Sequence, residues 1–348
     1  MIHLAGDPHT RGRAQAAREP ETIPGVRAMV AARLEAAAAL LTQPRIQRYL
    51  ARQRVFAERH DPEGIAEMDG IAEGYGLKPA DLLAFLHAGQ LAGLSPEGCT
   101  SWAYTNPAHG ALLVKNRDLR GTALPLQRVF LHHDPAWATR RVMCVGSLGA
   151  PGAYSSGINS DGFALVDTQV VTTDQGVGLL RYFLMTRLLA RCASVAEAID
   201  ELHTTTHAGG GTLVLADATG AIASVEIGHS GVAIERPTGP WTARTNHFLS
   251  PALHNRLLAA PSDPGIDVSH ARLAHLTAWL ASRDACPTDK EARAVMSRHD
   301  EPGSTGLCRH GGALASTTVS CAIFACGQGS LYFAHGNPCD GAWSRHSL

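Results

Sequence analysis

The apolar positions of this chain follow two periods, and the change from one to the other falls near residue 98. From Pro24 to Leu41 the segment P-G-V-R-A-M-V-A-A-R-L-E-A-A-A-A-L-L is rich in strong helix formers and opens on a proline, which suits a first helical turn. Helical spacing continues over 44–60, over 63–75, where Ile65, Met68, Ile71 and Ala72 share a face, and over 79–91 after Lys78-Pro79. Residues 1–23 read as an extended entry segment that turns at Gly6 and Gly12. The helical third ends near Gly93.

Beyond that point the pattern becomes that of strands. C-T-S-W-A-Y-T is a strand, N-P-A-H-G a turn and A-L-L-V-K-N-R-D a second strand. Pairing Thr105 with Ala111 across the turn places Cys99 opposite Arg117, with Asp118 one residue beyond. Further strands are expected at 127–134, 139–147, 153–158, 162–171, 212–217, 221–227, 231–236, 241–246, 315–325 and 330–335. Helices are expected at 177–192, 194–204, 250–260, 269–282 and 288–298. Antiparallel strands in two groups with helices between them predict an α+β fold, a four-layer α-β-β-α sandwich of two antiparallel sheets. A helical N-terminal segment, 1–98, precedes the sandwich core, 99–348, and the two pack as one globular unit.

Composition narrows the function classes. The 348 residues are 45% hydrophobic and 18% charged with a net charge of −1, so the chain is an ordinary globular protein without the basic footprint of a nucleic-acid binder. The opening M-I-H-L-A-G-D-P-H-T-R-G-R has no apolar h-region, and no stretch is long and uncharged enough to span a bilayer. A cytoplasmic location is expected, and in that reducing compartment the eight cysteines read as free thiols.

One of them stands where the helical third gives way to strands, in E-G-C-T-S-W from Glu97 to Trp102. If the Cys99 thiol attacks the Gly98 carbonyl, the peptide shifts to a thioester, and water then cuts the chain. The new N-terminal residue would carry an amine with a reference pKa of about 7.7–8 and a thiol of about 8.5, a base and a nucleophile together. Gly98 suits the cut because it leaves room above its carbonyl. The plain alternative is a small buried hydrophobe at the start of a strand.

Five motifs accompany that step in order: G-C-T at 98–100, V-K-N-R-D at 114–118, G-I-N-S-D-G-F-A at 157–164, R-T-N-H-F at 244–248 and L-C-R-H at 307–310. Together they resemble the isopenicillin N acyltransferase family of cysteine N-terminal-nucleophile hydrolases, relatives of the choloylglycine hydrolases and acid ceramidase. The likeness runs from R-G-R-A-Q at 11–15 to G-N-P-C at 336–339. It implies a self-cut precursor, with Cys99 as nucleophile, its amine as base, Asp118 orienting both, and Asn246 donating to the oxyanion. It also implies an acyl-Cys99 intermediate, a small-molecule acyl donor and an amine acceptor, no cofactor, and a donor that is a coenzyme A ester, a carrier-protein thioester or an amide. Amide-forming transfer in antibiotic-like biosynthesis is the leading expectation. An amidohydrolase by the same mechanism, and a binding protein that keeps the fold without the chemistry, are the alternatives.

Two residues, Lys115 and Asp167, depart from the pattern. Lys115 and Arg117 share a strand face and compete to be the cation near Cys99; the bile-salt relatives have a basic residue about where Lys115 falls and the acyltransferase an uncharged one. Asp167 stands where those relatives place an oxyanion-donating Asn, yet an ionised Asp cannot donate, so either a backbone N–H supplies the second donor or Asp167 recognises a substrate amine or hydroxyl. Other chemistries find little support. No H-E-x-x-H occurs, and Cys321 and Cys326, split by A-I-F-A, do not match a zinc knuckle, so no metal is expected. A-G-G-G-T at 208–212 lacks the lysine of a phosphate loop.

Overall fold

A computed structural model of the chain describes residues 1–92, 98–258, 264–299, 306–312 and 315–348. The expected end of the helical third at Gly93, Glu97 of the processing stretch, and the last two positions of the 250–260 helix lie outside the described residues.

The N-terminal part runs β1 (Ile2–Ala5), α1 (Pro8–Arg18), α2 (Ile23–Ala36), α3 (Ala38–Leu41), α4 (Pro44–His60), α5 (Pro62–Tyr75) and α6 (Pro79–Ala92). Strands follow at β2 (Gly98–Tyr104), β3 (Leu112–Arg120), β4 (Gln127–His133), β5 (Arg141–Ser147), β6 (Ser156–Asn159) and β7 (Ala164–Thr168). After α7 (Arg181–Arg191) and α8 (Val195–Thr204) come β8 (Thr212–Ala216), β9 (Ile222–Ile227), β10 (Val232–Glu235) and β11 (Trp241–Arg244). The chain ends through α9 (Pro264–Ala281), α10 (Asp289–Met296), β12 (Ser316–Ala325), β13 (Ser330–His335) and β14 (Trp343–Ser347).

Among the described residues these strands make two sheets, ordered β1-β4-β5-β6-β7-β8-β9-β10 and β11-β2-β3-β12-β13-β14. Ala103, Leu113, Val145, Val166, Val214 and Phe324 fill the space between them. The N-terminal helices and α7 and α8 cover the outer face of the larger sheet, through Met68, Ile71, Phe85, Leu184 and Leu188. Helices α9 and α10 cover the smaller one, where Trp102, Val114, Leu276, Val295 and Ile323 meet. The result is the expected α-β-β-α layering. The N-terminal segment is part of it, because β1 adds to the edge of the larger sheet parallel to β4. No helix among the described residues is long and apolar enough to cross a membrane.

Three local expectations need correcting. Residues 8–18 are helical, with Asp7 capping the first turn by accepting from the Thr10 N–H at 2.8 Å. Gly12 is therefore no turn point: α1 lies so close on α5 that a Cβ there would run into the Glu67 carbonyl. In place of a helix over 250–258 there is a single tight turn at His254–Arg256, and the helix that follows begins earlier than expected, at Pro264. Finally, β14 extends the smaller sheet at its edge, where its largely exposed W-S-R-H-S has no apolar alternation to betray it.

Candidate active site

The hairpin of β2 and β3 has the expected register, with Cys99 opposite Arg117, Gly98 opposite Asp118 and Ser101 opposite Lys115. Directly opposed residues share a face, so the two sides of the hairpin carry different chemistry. Cys99, Arg117 and Lys115 face the interior between the sheets. Gly98, Thr100 and Asp118 face α9.

On the other flank of β2 lies β11, where Arg244 pairs with Ser101. Continuing that register two residues brings Asn246 beside Cys99. The Cys99 N–H donates to Asn246 Oδ1 at 2.8 Å, and Asn246 Nδ2 donates to the Gln169 carbonyl at 2.9 Å. The amide orientation follows from its partners, because the oxygen meets two donors and the nitrogen meets a carbonyl. Asn246, expected to donate to the oxyanion, here turns its oxygen to the Cys99 N–H and its nitrogen to the Gln169 carbonyl.

The second donor is Arg272 on α9, a residue the sequence reading missed. Its Nη2 donates to Asn246 Oδ1 at 2.7 Å, and its Nη1 donates to the Cys99 carbonyl at 2.6 Å and to Thr100 Oγ1 at 2.7 Å. Arg272 is 1% exposed. One turn before it, Ser269 Oγ accepts from the Asn246 N–H at 2.8 Å. The available signal was a serine and an arginine on the same side of α9 as Leu276 and Leu280, an apolar face on which a charge needs partners.

Asp118 is fully buried. Its Oδ1 accepts from Thr318 Oγ1 at 2.7 Å, and its Oδ2 is turned to Gly98, where a Cβ would lie 2.9 Å away and also 3.2 Å from Arg309 Nη1. Glycine at 98 thus lets a carboxyl approach the peptide preceding Cys99. Burial holds Asp118 above the usual carboxylate range, against the opposing pull of Arg272, Thr318, Arg309 and Lys115. Asp118 therefore approaches the Gly98–Cys99 peptide from the α9 side, not the face that carries the thiol.

The cations on the inner face separate cleanly. Lys115 pairs with Asp167 Oδ1, and Arg181 Nε donates to Asp167 Oδ2 at 2.8 Å. Burial would raise Asp167, but Lys115 and Arg181 outweigh it and hold the carboxyl below its ordinary value. With both oxygens engaged, Asp167 is a poor candidate for gripping a substrate amine, and Lys115 is spent on it. Arg181 also donates to the Gln169 side chain, so a polar chain links Asn246 to this triad through Gln169. Arg117 instead donates to Gln127 Oε1 at 2.8 Å and Ser147 Oγ at 3.1 Å and lies over the Tyr154 ring. Among the described residues no carboxylate pairs with it.

Asp167→Asn is expected to cost about 3–5 kcal/mol, because it leaves two buried cations facing each other. Urea unfolding would measure it, and adding Lys115→Met should recover part of the loss. A single variant as stable as the parent would contradict the triad's charge balance.

The sequence profile of the family described as "Acyl-coenzyme A:6-aminopenicillanic acid acyl-transferase" matches residues 105–340, well over half of the chain. The chain belongs to this family. It is an enzyme of an acyltransferase family. The acyltransferase match takes in Lys115, Arg117, Asp118, Asp167, Asn246 and Arg272 and begins six residues after Cys99. No curated protein matches the sequence.

Among solved structures, a cysteine-to-alanine variant of conjugated bile acid hydrolase from Clostridium perfringens aligns at 12% identity and TM-score 0.41, covering 72% of this chain and 97% of its own. An arginine-to-leucine variant of the same enzyme gives 13% and 0.45 over the same shares. Penicillin V acylase from Agrobacterium tumefaciens gives 14% and 0.41, covering 68% of this chain and 83% of its own.

Proposed function

We propose that the chain cuts itself between Gly98 and Cys99 and then transfers acyl groups, through an acyl-Cys99 thioester, to an amine in small-molecule biosynthesis of the antibiotic type. The observation that carries the reading is how one peptide is bracketed. Asp118 Oδ2 is turned to Gly98, Asn246 accepts from the Cys99 N–H, and Arg272 donates to the Cys99 carbonyl.

In processing, Sγ of Cys99 bonds to the Gly98 carbonyl carbon and the Gly98–Cys99 C–N bond breaks. The thiol proton ends on the departing nitrogen. Asp118, on the α9 side of the same peptide and turned to Gly98, is suited to orient the scissile bond rather than to take the proton from the thiol. Water then hydrolyses the thioester, leaving a Gly98 carboxylate and a free Cys99 thiol and amine. The nitrogen that Asn246 Oδ1 now holds as an amide becomes that amine, and with the Asn246 backbone anchored on Ser269 the same contact would orient the base of the mature enzyme.

In turnover the amine takes the thiol proton, the thiolate attacks the donor carbonyl, and the proton passes to the leaving thiol or amine. An acceptor amine then attacks acyl-Cys99, gives its proton to the Cys99 amine, forms the amide and releases the thiolate. The chemistry needs no cofactor beyond the donor, and thioester donors and free thiols suit a cytoplasmic enzyme. The family's description supports a coenzyme A donor, and a carrier-protein thioester would present the same reacting group. Arg117, a buried cation without a carboxylate partner among the described residues, supports a carboxylate or phosphate on the substrate.

Incubating purified enzyme with an acyl-coenzyme A should add one acyl mass to the fragment that begins at Cys99. An added amine such as 6-aminopenicillanic acid should discharge it faster than water does. Discharge by water at a rate no amine alters would make the enzyme an amidohydrolase, and the absence of any adduct would overturn the thioester.

A further inference from the structure

Two of the motifs take no part in this chemistry, yet they meet in space. L-C-R-H brings Cys308 and His310, and G-N-P-C brings Cys339; with His299, their ligand atoms all lie within 4.8 Å of one another. We propose that these four residues hold a structural zinc ion.

Four of the six separations are those of a filled tetrahedron, and the two from His299 to the sulfurs are no longer than 4.8 Å. With Zn–S of about 2.3 Å and Zn–N of about 2.0 Å, tetrahedral edges come to about 3.8 Å between sulfurs, 3.5 Å between sulfur and nitrogen, and 3.3 Å between nitrogens. The two sulfurs are 3.7 Å apart, well beyond a disulfide. His310 Nε2 lies 3.5 Å from Cys308 Sγ, 3.3 Å from Cys339 Sγ and 3.3 Å from His299 Nε2. One ring nitrogen has a single proton or lone pair and cannot satisfy three such neighbours by hydrogen bonding. A cation at their common centre satisfies all four atoms.

The surroundings favour the same occupant. Two thiolates cancel the charge of a divalent ion, and a tetrahedral S2N2 set selects zinc. Asn337 Nδ2 donates to Cys308 Sγ at 3.4 Å and to the Arg309 carbonyl at 2.8 Å, an outer contact of the kind that fixes a thiolate ligand. All four positions are taken by protein, so the ion has no open site for substrate. Its effect is to join three segments: the stretch after α10, the one leading into β12, and the turn between β13 and β14. Arg309 lies between two ligands and reaches toward Asp118 and Gly98. The ion would thus fix a cation beside the processing peptide. The expectation of no metal rested on the lack of H-E-x-x-H and on the spacing of Cys321 and Cys326; those two are buried thiols within and just after β12 and lie outside this cluster, whose ligands come from three separated segments.

Elemental analysis of the full-length protein, expressed with zinc and passed through a mild chelator, is expected to give one zinc per chain. Cobalt substitution should give the thiolate charge-transfer absorption of a tetrahedral site. Cys339→Ser and His299→Ala change half-buried and exposed residues, and each should lower zinc below about a tenth of an equivalent while the fold survives. The cobalt spectrum of the unaltered protein stands whether or not those variants fold. Zinc below that level in the parent, zinc retained by Cys308→Ser and Cys339→Ser together, or a Cys308–Cys339 disulfide in non-reducing peptide maps would each overturn the proposal.

Discussion

Replacing Cys99 by alanine is expected to leave one 36.8 kDa chain with no acyl transfer above background. The effect is large because a single sulfur serves twice, first on the Gly98 carbonyl and then on the acyl donor. Folding should survive: Cys99 is a small buried side chain on β2, and losing its sulfur costs about 1 kcal/mol. The thermal midpoint should therefore stay within a few degrees while transfer is lost outright. Cys99→Ser separates the roles, since a hydroxyl is a weaker nucleophile at neutral pH and should process slowly and transfer less. Transfer that persists in Cys99→Ala would move the nucleophile elsewhere.

The second large effect is expected at Arg272. Arg272→Met removes the donors to the Cys99 carbonyl, Thr100 and Asn246 together, and the cation nearest in influence to Asp118. Arg272 holds the Cys99 carbonyl and the Asn246 oxygen that meets the scissile nitrogen, not the reacting Gly98 carbonyl, so its loss misplaces the peptide and should slow processing by about 10²-fold. Breaking a buried charge's contacts adds about 3–5 kcal/mol of lost stability. Arg272→Lys keeps the charge but loses the fork that spans three acceptors, so it should recover stability better than processing rate. A time course of cleavage with thermal unfolding of both variants would check this. Parental rates in Arg272→Met would remove that residue from the site.

Much of this was legible in the sequence because it is local. The short turn N-P-A-H-G sets the β2–β3 register, so the pairing of Cys99 with Arg117 could be counted from sequence alone. What could not be counted was non-local. Nothing near residue 244 says that β11 lies against β2, so Asn246 could be matched by motif but its oxygen could not be aimed. Arg272 comes from a helix on the far side of the smaller sheet, visible beforehand only as a charge on an apolar face. Asp167 was read alone, without Arg181, which reaches it from a helix start fourteen residues on. The four ligands of the zinc cluster, spread from 299 to 339, fit no compact spacing.

The central claim is that Cys99 becomes an N-terminus, and the intact mass of the purified wild-type protein tests it most directly. The account predicts two fragments whose masses meet between Gly98 and Cys99, with the second beginning at cysteine. A single full-length mass in an enzyme that nonetheless transfers acyl groups would contradict it, because the Cys99 nitrogen would still be an amide and the base would lie elsewhere.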